Sequence, residues 1–224
     1  MKNEEIIINE VFQGTPAIRA RLRNTPIVSK RKFIQMAEPC DIFVTKTPGY
    51  NLKTSSSRVI SKMISFAQGS PYTSSKLLLP DGNLIGYGVD YDQDPTYLSK
   101  MKLKDYMIRC DFACMVRVPN LTEEQKQKIY KYLLTRQRVP YNNIGLLKTA
   151  WNKIMPDFIR LDFKIEEPED KRVVRGYKKA LFCSTIISMA FLYIGIVLFE
   201  KPLEAWPRNF ILTPKAILVS RTSG

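Results

Sequence analysis

Cys183 is the residue whose type and position best suit nucleophilic chemistry. It lies in the uncharged run 180–199, the first part of which is predicted to form a buried helix. At a helix start the positive end of the helix dipole favours the thiolate, which is the reactive form of cysteine. A thiolate nucleophile also needs a base or a cationic partner, usually a histidine, and this chain contains no histidine. The sequence therefore presents either a nucleophile without its usual base or an inert cysteine in a buried helix.

The other cysteines, Cys40, Cys110 and Cys114, predict reduced thiols rather than a metal centre. Zinc sites use nitrogen, sulfur or carboxylate ligands, and the commonest nitrogen donor is absent from this chain. The N-terminus shows no charged and then apolar leader followed by a small-residue cleavage site. We therefore expect a cytoplasmic protein without a signal peptide, a bound metal or a cofactor.

The net charge points to an anionic neighbour without selecting one. The chain has 35 Lys and Arg residues against 21 Asp and Glu, which gives a formal net charge of +14. Such a surplus favours nucleic acid, anionic membrane or an acidic protein surface as a partner. However, the basic residues are scattered among acids, and no helix-turn-helix, zinc-finger or aromatic RNA-binding signature organises them. Charge alone thus allows nucleic acid or membrane, and a solvated basic surface is the simpler interpretation.

A basic arm is predicted to precede the domain proper. Residues 1–36 contain too few regularly spaced apolar residues to build a core of their own. The arm either drapes over the domain or reaches a neighbouring protein, and the sequence leaves both alternatives open. Residues 37–224 are predicted to form one domain that contains a charge-rich insert at about 143–177.

Apolar patterning and turn residues predict strands and helices within this domain. The predicted elements are a strand at 40–46, a helix at 55–69, a hairpin at 76–88 around the turn 80–83, a strand at 112–118, a helix at 121–137 with a capping box formed by Thr122 and Gln125, and a strand-like tail before residue 220. Residues 180–199 are uncharged and long enough to span a bilayer. Their polar side chains and Gly195 instead favour a buried helix followed by a strand, so no transmembrane helix is expected.

Five short motifs occur in an order that is typical of one superfamily. They are CDIFV, SPYTS, MVRV, VPYN and FCSTII. With these motifs the chain resembles the circularly permuted branch of the NlpC/P60 papain-like superfamily, which includes the bacterial YiiX/YaeF-like proteins, over about residues 40–219. The resemblance implies an α+β fold in which helices pack on an antiparallel sheet.

The resemblance also implies a catalytic site from which the base is missing. It assigns the nucleophile to Cys183, the histidine position to Ser74 and the orienting position to the region of Gly86. Serine has no useful basicity at neutral pH, and glycine cannot orient an imidazole. Thr185 stands where relatives usually have glutamate, whereas Ser184 is retained.

Three further residues are candidates to complete a site. Lys76 lies two residues from Ser74 and would share its face of a strand, so it is the candidate for a substitute base if burial lowers its pKa. Tyr72 and Tyr141 match aromatic positions that wall the family's cleft. As core aromatics, both tyrosines would need no function.

These inferences lead to the expectation of a catalytically degenerate domain that acts as a structural or binding component. Because domains of this superfamily are carried by bacteria and bacterial viruses, the expected setting is a bacteriophage particle, as part of the tail, the baseplate or another part of the virion. The alternative is an active cysteine hydrolase or acyltransferase on amide or ester bonds of cell-wall peptide or lipid, with Cys183 as nucleophile and a base other than histidine. A third interpretation, a basic adaptor on nucleic acid or anionic membrane, depends on net charge alone.

Overall fold

The computed structural model describes residues 16–46, 70, 72–87, 97–110, 112–137, 139–141 and 182–222. Within these ranges the strands are β1 (Ile27–Val28), β2 (Ile42–Lys46), β3 (Ser74–Leu78), β4 (Asn83–Tyr87), β5 (Leu98–Lys102), β6 (Phe112–Arg117) and β7 (Ile217–Thr222). The helices are α1 (Pro16–Arg23), α2 (Lys30–Gln35), α3 (Leu103–Arg109), α4 (Glu123–Leu134), α5 (Cys183–Tyr193), a 3-10 helix (Pro202–Glu204) and α6 (Pro207–Leu212). The helix predicted at 55–69 and the insert predicted at about 143–177 lie outside the described residues.

The strands form one seven-stranded sheet in the order β1-β7-β6-β2-β3-β4-β5. Neighbouring strands run antiparallel, except that β1 runs parallel to β7. Helices cover both faces of this sheet. The predicted α+β fold, a largely antiparallel sheet packed by helices, is therefore confirmed.

Each face of the sheet has its own apolar core, because successive strand residues point to opposite sides. One face, called the α5 face, carries Ile42, Val44 and Leu77 together with buried residues of α4 and α5. The other, called the α3 face, carries Phe43 and Leu78 together with buried residues of α2 and α3. Burial on both sides explains why the central strands have nearly continuous apolar sequences instead of an alternating pattern.

Two local predictions are confirmed by backbone and side-chain hydrogen bonds. Strands β3 and β4 form the predicted hairpin, and its turn contains Gly82 with a φ of +77°, a left-handed conformation that favours glycine. Helix α4 begins with the predicted capping box. Thr122 Oγ1 accepts from the Gln125 N–H at 3.2 Å, and the Gln125 side chain accepts from the Thr122 N–H at 2.9 Å.

Residues 16–36, the described part of the predicted arm, pack on the domain. Ile18, Leu22 and Phe33 are buried, and β1 extends the sheet beyond β7. The Arg21 guanidinium donates to three backbone carbonyls near the end of α6, at 2.6, 2.7 and 2.7 Å. Of the two alternatives for the arm, this part therefore drapes over the domain; residues 1–15 lie outside the described residues.

The strand predicted after the buried helix is not formed. Helix α5 ends at Tyr193, and Gly195 then adopts a φ of +87°. The N–H groups of Gly195 and Ile196 donate to the carbonyls of Leu192 and Phe191 at 2.8 and 3.0 Å, so the chain turns back over the helix end instead of joining the sheet.

In the part of the chain that the structure describes, no helix has the length and hydropathy needed to cross a bilayer.

Candidate functional site

Cys183 is the first residue of α5, as the sequence predicts. The preceding residue, Phe182, has extended backbone angles and forms the N-cap. The thiol therefore lies beside the unpaired N–H groups of the first helical turn, where a negative charge is favoured. Only 6% of the surface of Cys183 is exposed.

Among the described residues, Cys183 makes its side-chain hydrogen bonds with hydroxyls. Its Sγ lies 3.8 Å from Ser184 Oγ, and the Tyr141 hydroxyl makes a side-chain hydrogen bond with it. The Tyr141 ring packs against Tyr87 and Phe182, with centroid distances of 4.9 and 6.4 Å. This cysteine cluster, made of Cys183, Ser184, Tyr141 and Tyr87, is the part of the candidate site that the structure brings together.

Tyr141 is a hydrogen-bond donor at neutral pH and not a base. Its hydroxyl end is buried, although the residue as a whole is only partly buried, and this burial raises the pKa of Tyr141 well above its usual value. Burial likewise raises the pKa of Tyr87, whose hydroxyl donates to the Val139 carbonyl at 3.0 Å. Neither phenol is therefore suited to take a proton from the Cys183 thiol.

Ser75, and not Ser74, is the residue of β3 that faces the start of α5. Ser75 Oγ donates to Ser184 Oγ at 3.1 Å. Because adjacent strand residues point to opposite faces, Ser74 lies on the α3 face, away from Cys183. The resemblance gives the histidine position to Ser74, and the residue of β3 that contacts helix α5 in the structure is Ser75.

Lys76 is fully buried and shares the face of Ser74. Its Nζ donates to Ser74 Oγ at 2.5 Å and to the Tyr87 carbonyl oxygen at 2.6 Å. Burial lowers the pKa of Lys76 to about 8, while the thiols of Cys183 and Cys110 oppose this shift. An amine in this environment exchanges its proton much closer to neutral pH than an exposed lysine does.

The structure brings Lys76 into electrostatic range of Cys183 without joining the two groups. Lys76 pairs with Phe43 across β2 and β3, and Phe43 belongs to the core of the α3 face. Both hydrogen bonds of the amine go to oxygens, one of Ser74 and one of Tyr87. The predicted substitute base thus interacts with the thiol through the sheet and not by a hydrogen bond.

Sequence reasoning missed two hydroxyls beside Ser74. Thr45 is the direct partner of Ser74 in the β2–β3 pairing, and its Oγ1 lies 2.9 Å from the Tyr106 hydroxyl of α3. These residues lie on the α3 face with Lys76, and the group of Ser74, Lys76, Thr45 and Tyr106 is called the lysine cluster below. The signal that identifies them is the strand register, which the sequence alone does not specify.

Tyr72 lies apart from the cysteine cluster. It is completely buried, its hydroxyl lies 3.3 Å from Cys114 Sγ, and its ring packs on Phe112 at a centroid distance of 5.5 Å. Burial raises the pKa of Tyr72 well above its usual value. Of the two tyrosines predicted to wall a cleft, the structure places Tyr141 at Cys183 and Tyr72 in the core under α5.

The thiols of Cys40 and Cys114 lie in environments that oppose ionisation. Burial raises the pKa of each to about 12, and all four cysteines are buried and form no disulfide. Among the described residues, no group of three or more His, Cys, Asp or Glu side chains is arranged to hold a metal ion.

Comparison with known proteins relates this chain to others through its fold. No protein-family model and no curated protein matches the sequence. Among solved structures, the chain resembles the crystal structure of the metalloprotein YiiX from Escherichia coli O157:H7, described as DUF1105, with a TM-score of 0.52. The two sequences are 14% identical, and the match covers 82% of this chain and 96% of YiiX. At this identity the likeness concerns the fold alone: the chain has a YiiX-like α+β fold.

Proposed function

We propose that this chain is a circularly permuted papain-like domain of the NlpC/P60 type that has lost cysteine–histidine chemistry and acts as a structural or binding component. The observation that carries the proposal is the surroundings of Cys183. Cys183, to which the resemblance assigns the nucleophile, is the first residue of α5, and its side-chain hydrogen bonds within the described residues are with the hydroxyls of Tyr141 and Ser184. A hydroxyl does not supply the basicity or the positive charge that a histidine gives to a thiolate.

The metal named in the description of YiiX is not carried over to this chain. Histidine is the commonest nitrogen ligand of transition metals, and the sequence contains none. The cysteine cluster offers one thiol and several hydroxyls, which is a poor donor set for zinc. The proposal therefore involves no metal and no cofactor.

The cysteine site is tested by alkylation of the native protein at neutral pH, with Cys183→Ser used to subtract the other three thiols. We expect Cys183 to react far more slowly in the folded protein than in urea, because it is buried and, among the described residues, its side-chain hydrogen bonds are to hydroxyls. We also expect Lys76→Met to leave this slow rate unchanged. Rapid alkylation that Lys76→Met abolishes would contradict the proposal, because it would mean that the lysine activates the thiol.

For the setting we propose a protein assembly, and specifically a bacteriophage particle. The support is the net charge of +14, which suits an acidic neighbour, together with the superfamily resemblance. The test is to isolate native particles, locate this chain by crosslinking and mass spectrometry, and compare full-length protein with a variant lacking residues 1–15 in reassembly. Recovery of the chain only as a free monomer would overturn this setting.

A second candidate function is a cysteine hydrolase or acyltransferase that acts on amide or ester bonds of cell-wall peptide or lipid. The observation that favours it is the lowered pKa of Lys76, about 8, together with the electrostatic interaction between Lys76 and Cys183. This function requires a covalent acyl adduct on Cys183 during turnover. Mass spectrometry of the protein after exposure to ester and amide substrates would detect that adduct.

A further inference from the structure

The lysine cluster has the parts of a catalytic pair that is independent of Cys183. Ser74 and Lys76 lie two residues apart on β3, so their side chains share one face. The Lys76 Nζ lies 2.5 Å from Ser74 Oγ. Lys76 is 2% exposed, whereas Ser74 is only partly buried. A buried amine thus contacts the hydroxyl of a partly exposed serine.

The second contact of the amine fixes its orientation. The Tyr87 carbonyl oxygen accepts a hydrogen bond from Lys76 Nζ at 2.6 Å and has no proton to exchange. In the described part of the chain, the amine makes no ion pair with a carboxylate; its side-chain partner is Ser74. A carboxylate would hold the lysine in its charged form, whereas burial without one favours the neutral amine that can act as a base.

We propose that Ser74 and Lys76 form a serine–lysine catalytic pair, with the Ser74 hydroxyl as nucleophile toward carboxylic esters or amides and the Lys76 amine as its base. Pairs of this kind are known variants of the serine hydrolase triad. The inference goes beyond the proposed function and does not depend on it, because its nucleophile is Ser74 and not Cys183.

The reaction is balanced by the groups of the pair and water. The neutral Lys76 amine takes the hydroxyl proton as Ser74 Oγ forms a bond to the acyl carbon. The lysine ammonium then gives that proton to the departing alcohol or amine, which leaves an acyl ester on Ser74. Water hydrolyses the ester by the same proton transfers and regenerates the serine.

The pH dependence of such a pair is set by the groups around the amine. Burial lowers the pKa of Lys76 to about 8, and the thiols of Cys183 and Cys110 oppose this shift from opposite sides of the sheet. The Tyr87 backbone contacts the amine on β4, and the Tyr106 hydroxyl on α3 lies in the same cluster beside Thr45. The reactive, neutral fraction should therefore rise through pH 8.

The test is covalent labelling with an alkyl fluorophosphonate, whose fluoride leaves as the serine oxygen bonds to phosphorus. We expect a phosphonyl adduct on Ser74, located by peptide mass spectrometry, that forms faster as the pH rises with a midpoint near 8. Ser74→Ala should abolish the adduct, and Lys76→Met should slow it by about a hundredfold, the usual scale of general-base catalysis. The matched variants Ser220→Ala on β7 and Lys100→Met on β5 should label like the wild type.

Two results would overturn the inference. The first is folded wild-type protein, with an intact near-ultraviolet circular dichroism spectrum, that forms no adduct on Ser74; the serine would then only satisfy the buried amine. The second is labelling of Ser74 at an equal rate in Lys76→Met. Should Lys76→Met fail to fold, the pH profile of the wild type replaces it, because a rate that does not change between pH 7 and about 9 excludes Lys76 as the base.

Discussion

At the scale of single residues, the fold holds the Lys76 amine at an electrostatic cost. It is fully buried, and its pKa falls from 10.5 to about 8. A shift of this size corresponds to roughly 3 kcal/mol of unfavourable free energy for the charged form in the folded state. Retention of a charged group in such a position is typical of a functional residue, which is consistent with the role proposed for the Ser74–Lys76 pair.

Replacement of Lys76 by methionine should therefore stabilise the protein at neutral pH. Below pH 8 the folded wild type bears the full cost of the charged amine. Between pH 8 and 10.5 the unfolded state binds more protons than the folded state, so the stability of the wild type increases with pH. The stability difference between the variant and the wild type should therefore decrease over this range. Because the variant loses two hydrogen bonds, we expect a gain of about 1 to 2 kcal/mol at neutral pH. Urea denaturation of both proteins across this range is the measurement, and a difference that does not shrink with pH would contradict it.

The sequence shows which residues could carry chemistry, but it does not show toward which face of the sheet their side chains point. The position of Cys183 at a helix start was implied by the superfamily resemblance of the FCSTII motif. The choice between Ser74 and Ser75 depends on which face of β3 meets α5. Because helices cover both faces, the strand lacks the alternation of polar and apolar residues that would reveal its orientation.

At the scale of secondary-structure elements, Arg21 explains why a basic segment is part of the fold. Helix α1 lies beside α6, and the Arg21 guanidinium donates to the carbonyls of Ile211, Thr213 and Ala216. These carbonyls lie at the end of α6 and in the turn after it, where helical partners are lacking. The backbone carbonyl that accepts from Arg21 at 2.6 Å lies 190 residues away in the sequence. No pattern in the sequence indicates such a contact, and the basic segment was therefore interpreted as an arm.

Substitution of Arg21 by methionine should lower the free energy of unfolding by about 2 kcal/mol, since hydrogen bonds from a charged donor to buried carbonyls are lost. Thermal and urea denaturation provide the measurement. Arg19→Met, at an exposed position on the same helix, is the matched control and should change stability by less than about 0.5 kcal/mol. Equal effects of the two substitutions would mean that the carbonyl contacts of Arg21 contribute nothing.

The end of β6 is held by a second arginine. Arg117 Nε and one terminal nitrogen donate to the two carboxylate oxygens of Asp41 at 2.7 and 2.8 Å, and Asp41 is 1% exposed. The other terminal nitrogen donates to Glu38, whose side chain is 58% exposed. Burial raises the pKa of Asp41, and the hydrogen bond from Arg117 opposes that shift.

The two acidic partners of Arg117 should therefore contribute very differently to stability. Asp41→Asn replaces the carboxylate that accepts from Arg117 and from the Glu38 N–H, and the weakened hydrogen bonds are expected to cost about 2 kcal/mol. Glu38→Gln removes an exposed partner and should cost less than about 1 kcal/mol. Urea denaturation of both variants tests this order, and a larger loss for Glu38→Gln would reverse it.

Prediction of the elements succeeded where local chemistry specifies the structure. It failed where tertiary contacts specify the structure. The capping box of α4 and the Gly82 turn are encoded within a few residues. Strand β5 and helix α3 were missed because the run LSKMKLKDYMIR alternates short apolar and charged groups without a cap or a turn between the two elements. The strand predicted at 196–199 failed because Gly195 directs the chain back over α5.

At the scale of the whole molecule, the boundary between arm and domain determines how an assembly role can be tested. Residues 16–36 supply buried side chains to both cores of the sheet, with Ile18 and Leu22 on the α5 face and Phe33 on the α3 face. Strand β1 adds to the sheet edge, and Arg21 supports α6. A deletion of the entire basic segment would therefore confuse loss of a partner with loss of the fold.

Deletion of residues 1–36 should abolish cooperative unfolding, because loss of several fully buried large side chains costs about 2 to 5 kcal/mol each, against a total stability of about 5 to 15 kcal/mol. Deletion of residues 1–15 is the matched truncation: it leaves α1, β1 and α2 in the chain, and we expect it to keep the unfolding transition that these elements support. Circular dichroism melts of the two truncated proteins distinguish these outcomes. If the longer deletion melts like the full chain, the packing of α1, β1 and α2 adds nothing to stability, and residues 1–36 act as the detachable arm that their composition indicates.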